Sequence, residues 1–271
     1  MKFVEKFEKI SEENNSLLCV GLDIDKEKIP KFLFDDYKDP YLEFNKKIID
    51  STKDIVCAYK LNMAFYEALG IEGIKTLHNT IKYIPKEIII IVDGKRNDIG
   101  NTATKYAKSI FNALCADATT INPYLGFDSI DPFIKYKEKY NFILCRTSNP
   151  SAKELQDLII QDKPLYQIVA ERIEKWNQNK NLGAVVGATY PKELKKIREI
   201  LGENSILLIP GIGKQGGDVK QTVKNSTNNN KKNIIINSSR GIIYSEKTYD
   251  FAEKSREKAK KLRDEINKYR R

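Results

Sequence analysis

Histidine occurs once in this 271-residue chain and cysteine four times. No apolar run reaches the roughly 18 residues of a membrane span. Each shortage removes a class of function. The single histidine, His78, falls in the helical stretch GIKTLHNTIKYI, which leaves little room for Ser-His-Asp catalysis or HExxH zinc chemistry. Cys19, Cys57, Cys115 and Cys145 lie far apart, with no CxxC pair or Cys/His cluster. Neither a zinc site nor a disulfide framework has this spacing, so all four read as reduced, buried thiols that pack as small hydrophobes. The opening MKFVEKFEKISEENN carries acids and no apolar h-region. Neither a signal peptide nor a membrane partner is expected, and the cytoplasm is the expected location.

Hydrophobic residues make up 41% of the chain, enough for a sizeable core, and charged residues 31%. The net charge of +10 raises the question of nucleic-acid binding. The lysines are dispersed over helical faces, however, as in EKSREKAKKLRDEINKYRR at residues 253–271. A solvated basic surface is the simpler reading, and no nucleic-acid partner is expected. A positive field still favours a small phosphorylated anion.

Short β-branched runs recur along the chain: 17–23, 55–62, 88–95, 118–124, 141–148, 182–189, 205–213 and 233–241. They are nearly continuous in hydrophobicity instead of alternating, the signature of a parallel sheet covered on both faces. Amphipathic helical stretches separate them. DPYLEFNKKIIDSTKD starts with Asp39 as N-cap and Pro40 in the first turn; NTATKYAKSIFNAL, PKELKKIREIL and DVKQTVKN follow their own strands. Eight strand-helix repeats give a single-domain α/β fold over 1–271, a (β/α)8 TIM barrel. A doubly wound open sheet is the alternative, because a sequence does not display closure. The low-complexity stretch KNSTNNNKKN, 224–233, reads as a flexible surface insert on the face opposite the strand C-termini.

Polar groups gather at those C-terminal ends. IIIIVDGKRNDIGNT, residues 88–102, passes from a buried run into Asp93, Lys95, Arg96 and Asp98. Strand residues two apart share a face, so Asp93 and Lys95 point together. The second strand ends in Lys60, and adjacent strands lie roughly 5 Å apart. Lys60, Asp93 and Lys95 are therefore expected to form a Lys-Asp-Lys array, which Asp98 would extend to four alternating charges. Other strands end in Asp23, in Thr147-Ser148-Asn149 and in Ser238-Ser239-Arg240. Such a gathering at one end of eight apolar strands is what an active site on a barrel requires.

PGIGKQGGD, 210–218, matches GxGxxG through Gly211, Gly213 and Gly216. It follows the seventh strand instead of opening a first βαβ unit, so the dinucleotide reading is weak. A phosphate cradle of backbone N–H groups, clamped by Arg240 from the next strand, fits the barrel better.

With KxNxAFYE, DxKRxDIGNT, RTSNP, VVGATYP, PGIGxQGGD and NSSRGI in order, nearly the whole chain resembles the orotidine 5′-monophosphate decarboxylase family, most closely its longer subgroup. The resemblance implies a cofactor-free carboxy-lyase of pyrimidine biosynthesis with no metal. It implies Lys95 as proton donor to C6 of the pyrimidine, Asp93 against the substrate carboxylate, and Lys60 bracketing Asp93 and contacting ribose. Asp23 and Asn62 would contact ribose and nearby substrate atoms, Ser148 would hydrogen-bond the base, and Thr147 would also bind substrate. Gln215, Ser239 and Arg240 would hold the phosphate. Asp98, Ile99 and Thr102 would enter the neighbouring subunit's site, making a homodimer; association with the preceding pathway enzyme is left open. Leu61 and Asn97 depart from the usual Pro and Gly, without removing a charge. Two other readings stand beside this one. One is a related metal-dependent lyase acting on a sugar phosphate, in which an Asp of a similar array serves magnesium. The other is a non-catalytic, basic nucleic-acid-binding protein.

Overall fold

The computed structural model describes residues 1–212 and 217–270. The apolar runs become strands β1 (Leu18–Gly21), β2 (Ala58–Asn62), β3 (Ile89–Arg96), β4 (Ala118–Ile121), β5 (Tyr140–Arg146), β6 (Leu182–Val186), β7 (Leu207–Pro210) and β8 (Ile234–Ser238). Each pairs in parallel with its sequence neighbours, and β1 pairs with β8 through Leu18 and Ile236. That last pairing closes the barrel and decides against the open sheet. The longer helices are α1 (Phe3–Glu13), α2 (Pro40–Thr52), α3 (Gly70–Tyr83), α4 (Gly100–Lys108), α5 (Leu165–Trp176), α6 (Pro191–Leu201), α7 (Val219–Ser226) and α8 (Phe251–Arg270). Two of them start on aspartates: Asp39 accepts from Leu42 N and Asp218 from Gln221 N, both at 2.9 Å. Each thereby satisfies a first-turn N–H that has no partner within its helix. Among the described residues no helix is long and apolar enough to cross a membrane.

The strand N-terminal end of the barrel is shut. Phe3, Phe7 and Ile10 of α1 are buried across it, and the Phe3 ring stacks on Tyr140 at 4.7 Å. The Tyr140 hydroxyl donates to Leu182 O and accepts from Ile206 N, tying the starts of β5, β6 and β7 together. The last turns of α8 dock beside α1, where Asn267 and Arg270 donate to Asn15 at 2.8 and 2.7 Å. On the same face the buried Arg198 gives its protons to four carbonyls, those of Gly202, Ser205, Ser226 and Asn233. The Asn-rich stretch expected as a flexible insert is bonded into this face. Residues 224–226 complete α7, and Asn228, Asn229 and Asn233 all donate to Glu203.

Two further departures from the sequence reading appear. A small hairpin, Ile159–Ile160 with Lys163–Pro164, interrupts the connection from β5 to β6. Cys19, Cys57 and Cys145 are buried as expected, but Cys115 is exposed. It follows the helical turn Ser109–Ala113 with φ +55°. That left-handed position ends a helix and turns the side chain outward.

Candidate active site

At the open end, a cavity of 580 Å³ lies over the C-termini of the strands, within the range of about 300–1,000 Å³ usual for small-molecule sites. Lys60, Asp93 and Lys95 share it with Asp23, Asn62, Thr147, Ser148, Ser239 and Arg240. Gln215 lies outside the described residues. Among the described residues on either side of it, Ile212 bridges to Gly217 and Gly217 N donates to Gly211 O at 3.2 Å.

The charges form one chain. Lys60 Nζ donates to Asp93 Oδ2 at 3.0 Å, and Lys95 Nζ donates to Asp93 Oδ1 at 2.7 Å. On its other side Lys60 stands 3.8 Å from Asp23 Oδ1, while Ser239 Oγ fixes Asp23 Oδ2 at 2.5 Å. The fourth charge is thus Asp23 and not, within one chain, Asp98. Gly21 of β1 is in register with Lys60, so the chain leaving β1 sets Asp23 beside the end of β2. Asp98 lies past an irregularity in the β3–β4 pairing between Val92 and Arg96 and accepts from Ile99 N at 2.8 Å, at the entry to α4. Ile99 and Thr102 are likewise exposed on the single chain. Arg96 turns away from the cavity to Glu67 at 2.9 Å and lies over the Tyr106 ring.

The same irregularity shapes Lys95. Its backbone is left-handed, φ +45°, a conformation that costs a side-chain-bearing residue about 1 kcal/mol or more. A threonine that sequence reasoning missed holds it there. Thr120 Oγ1 accepts from Lys95 N at 2.9 Å and donates to Asp93 Oδ1 at 2.7 Å. The signal was present: Thr119-Thr120 breaks the apolar run of β4, and alternation sends one hydroxyl inward. Asn237 was missed as well. It interrupts β8, lines the cavity, and its buried Oδ1 has no hydrogen-bond partner among the described residues.

Burial separates the two lysines. The Lys60 side chain is 6% exposed and that of Lys95 46%, so Lys60 is part of the buried floor and Lys95 the end of the chain open to the cavity. Burial by itself disfavours charge on Lys60, but Asp23 and Asp93 outweigh it and raise its pKa above the ordinary lysine range. Burial would likewise raise Asp93; the attraction of Lys60 and Lys95, with hydrogen bonds from Lys95 and Thr120, holds it well below the usual carboxylate range instead. A carboxyl with a depressed native pKa contributes stability above its unfolded value of about 3.9 and loses it on acidification. The difference in unfolding free energy between wild type and Asp93→Asn should therefore shrink as pH falls below about 4. Denaturant titrations at pH 7, 4 and 3 check this, and a pH-independent difference would contradict the ion-paired state.

Fold and site together define a (β/α)8 barrel that carries an alternating lysine–aspartate chain at its mouth, where barrel enzymes place their active sites. Residues 16–254 match the model of the Orotidine 5′-phosphate decarboxylase / HUMPS family, and the chain belongs to that family. An orotidine 5′-phosphate decarboxylase of Dehalococcoides mccartyi is 47% identical over 100% of this chain and 99% of its own length. One from Cellvibrio japonicus is 46% identical over 92% of each. The solved Leishmania donovani OMP decarboxylase superposes with a TM-score of 0.86 at 38% identity, covering 100% of this chain and 99% of that one. In the Leishmania donovani UMP synthase structure the match, TM-score 0.89 at 39% identity, spans 100% of this chain and 57% of that one.

Proposed function

We propose that the protein converts orotidine 5′-monophosphate to uridine 5′-monophosphate and CO2, with Lys95 delivering the proton to C6 and no cofactor taking part. The observation that carries this reading is the Asp23–Lys60–Asp93–Lys95 chain. Loss of CO2 from C6 leaves a carbanion that the pyrimidine ring delocalises poorly. The reaction needs a cation beside C6, a proton for it, and a group that disfavours the bound carboxylate. Lys95, half-exposed and facing the cavity, meets the first two needs. Asp93, held ionised between Lys60, Lys95 and Thr120, meets the third.

Magnitudes rank these effects. Two like charges 4 Å apart repel by roughly 4 kcal/mol at an effective dielectric of 20, while enzymatic accelerations require about 8–23 kcal/mol. Repulsion from Asp93 is thus the smaller contribution. Stabilisation of the carbanion by an ammonium already oriented before substrate arrives is the larger one, since nothing has to reorganise during the reaction. Contacts with the distant phosphate add binding energy that helps organise the site. A magnesium-dependent sugar-phosphate lyase fits less well, because the Lys60 ammonium lies between the two carboxylates a metal would need. Nucleic-acid binding leaves the array without a purpose.

In this reading Ser239, Arg240 and Gln215 hold the phosphate, Asp23 and Asn62 the ribose, and Thr147 and Ser148 the base. Asp98, Ile99 and Thr102 complete the site of the other subunit in a homodimer. A cytoplasmic location belongs to the same reading, since substrate and product are nucleotides of cellular metabolism.

Loss of absorbance of orotidine 5′-monophosphate on adding purified protein, with EDTA present throughout, tests the reaction. The expected rate is the same with and without chelator, and a strict need for added magnesium would overturn the mechanism. In the same assay Arg240→Ala should lower kcat/KM for the nucleotide by roughly 10²-fold, the size of about 3 kcal/mol of lost charge-assisted contact. It should scarcely change the reaction of the unphosphorylated nucleoside. Equal losses on both would remove Arg240 from the phosphate site.

A further inference from the structure

Arg146 is the largest fully buried side chain of the protein's described residues, at 0% exposure, and it does not line the cavity. A guanidinium buried there is strongly disfavoured unless its surroundings pair it, so what pairs it is informative. NH2 donates to Asp157 Oδ2 at 3.1 Å, and Nε makes an ion-pair contact of 3.1 Å with Asp157 Oδ1. The guanidinium carbon lies 3.8 Å from the centre of the Tyr190 ring, a stacked cation–π contact. NH1 then donates to Thr147 O at 3.0 Å and to Gln156 Oε1 at 3.3 Å.

Gln156 completes the grip. Its Oε1 accepts from Thr147 N at 2.8 Å, and its Nε2 donates to Thr147 Oγ1 at 2.8 Å. The amide N–H, the carbonyl and the hydroxyl of Thr147 are thus all held by Arg146 or by the glutamine Arg146 orients. The strand explains how an arginine gets behind the site. The β5–β6 pairing goes from Leu144–Val185 to Arg146–Val186, so one extra residue in β5 resets its alternation. Leu144 and Thr147 line the cavity while Arg146 points behind it. The next strand end supports the same segment: Gly187 N donates to Arg146 O at 2.7 Å. A side chain at Gly187 would press to within 2.9 Å of Ser148 N.

We propose that Arg146, through Gln156, is the positioning residue that sets Thr147 and Ser148 at the height and angle from which they meet the pyrimidine. The proposal rests on the reading above that this segment contacts the base. Its consequence is that the short helix Lys153–Gln156 and the Asp157 that follows it, outside the cavity, take part in substrate alignment.

The test uses full-length protein carrying Gln156→Ala, which leaves the Arg146–Asp157 ion pair in place, and Arg146→Lys, which keeps the charge but loses the fork. Each is combined with Ser148→Ala in a double-mutant cycle. A reacting group displaced by about 1 Å can cost on the order of 10²-fold, so a loss of that size in kcat/KM is expected for each single variant. Each double variant should be no worse than the worse of its two singles, because the lost alignment and the lost contact are one effect. A purely structural Arg146 would lower the melting temperature and leave kcat/KM of the folded protein unchanged, or give losses that multiply with Ser148→Ala; either result overturns the proposal. Should Arg146→Lys fail to fold, Gln156→Ala decides alone. Failure of the wild type to decarboxylate orotidine 5′-monophosphate would instead overturn the functional reading itself.

Discussion

Lys95→Ala is expected to lower the decarboxylation rate by at least about 10⁴-fold, because the proposed mechanism makes one side chain both proton donor and counter-charge. The fold should survive it. Lys95 is half-exposed, and Asp93 would keep Lys60 and the Thr120 hydroxyl as partners. Affinity for the product nucleotide should therefore change far less than kcat, since the residues proposed to hold phosphate, ribose and base lie elsewhere in the cavity. Stopped assays at high enzyme concentration, with binding of uridine 5′-monophosphate measured on the same preparation, separate these quantities. A variant within tenfold of wild-type kcat would show that another group protonates C6.

The second large effect concerns pairs of chains. Asp98 does not reach the charge array of its own chain but lies at the entry to α4, next to an Ile99 that is 53% exposed. If Asp98 completes the partner's site, Lys95→Ala and Asp98→Ala homodimers should both be nearly inactive. In a hybrid dimer one site combines both defects, and the other has Lys95 from one chain and Asp98 from the other. Random re-pairing makes half of the dimers hybrid, each with one intact site of two, so about a quarter of wild-type activity should return in a symmetric dimer. Re-paired mixtures that contain hybrids by mass and remain as inactive as their parents would confine Asp98 to its own chain.

What could be read from residues alone divides along a physical line. The barrel was legible because eight buried strands need eight continuous apolar runs, and each ends where its polar residue begins. Lys60, Asp93 and Lys95 were legible because charge directly after such a run has only the barrel mouth to face. The exchange of Asp23 for Asp98 was not, since it depends on the register of β1 against β2 and on an irregular pairing after Val92. Regular alternation puts Asp93 and Lys95 on one face; the structure gets them there with Lys95 in a left-handed conformation braced by Thr120. Arg146 was invisible for a similar reason. One extra residue in β5 decides whether it enters the cavity or stands behind it, and periodicity does not announce a bulge. Cys115 was misjudged because a left-handed helix end, which is usually glycine, is here occupied by a thiol.

The shut end of the barrel has a consequence for how this protein can be joined to others. α1 begins there, with Phe3 N bonded to Glu138 O just before β5, and α8 ends there, with Arg270 on Asn15. Covalent additions at either end, whether an affinity tag, a surface anchor or a second enzyme, would project from the side opposite the mouth. They leave the path of substrate and product clear and the loops over the cavity at their native length. An insertion of similar size between β5 and β6 would instead load the segment that carries Gln156 and Asp157. The two faces of the barrel therefore differ in what they carry: Phe3 and Arg270 are held at the closed face, and the charge array stands at the open one.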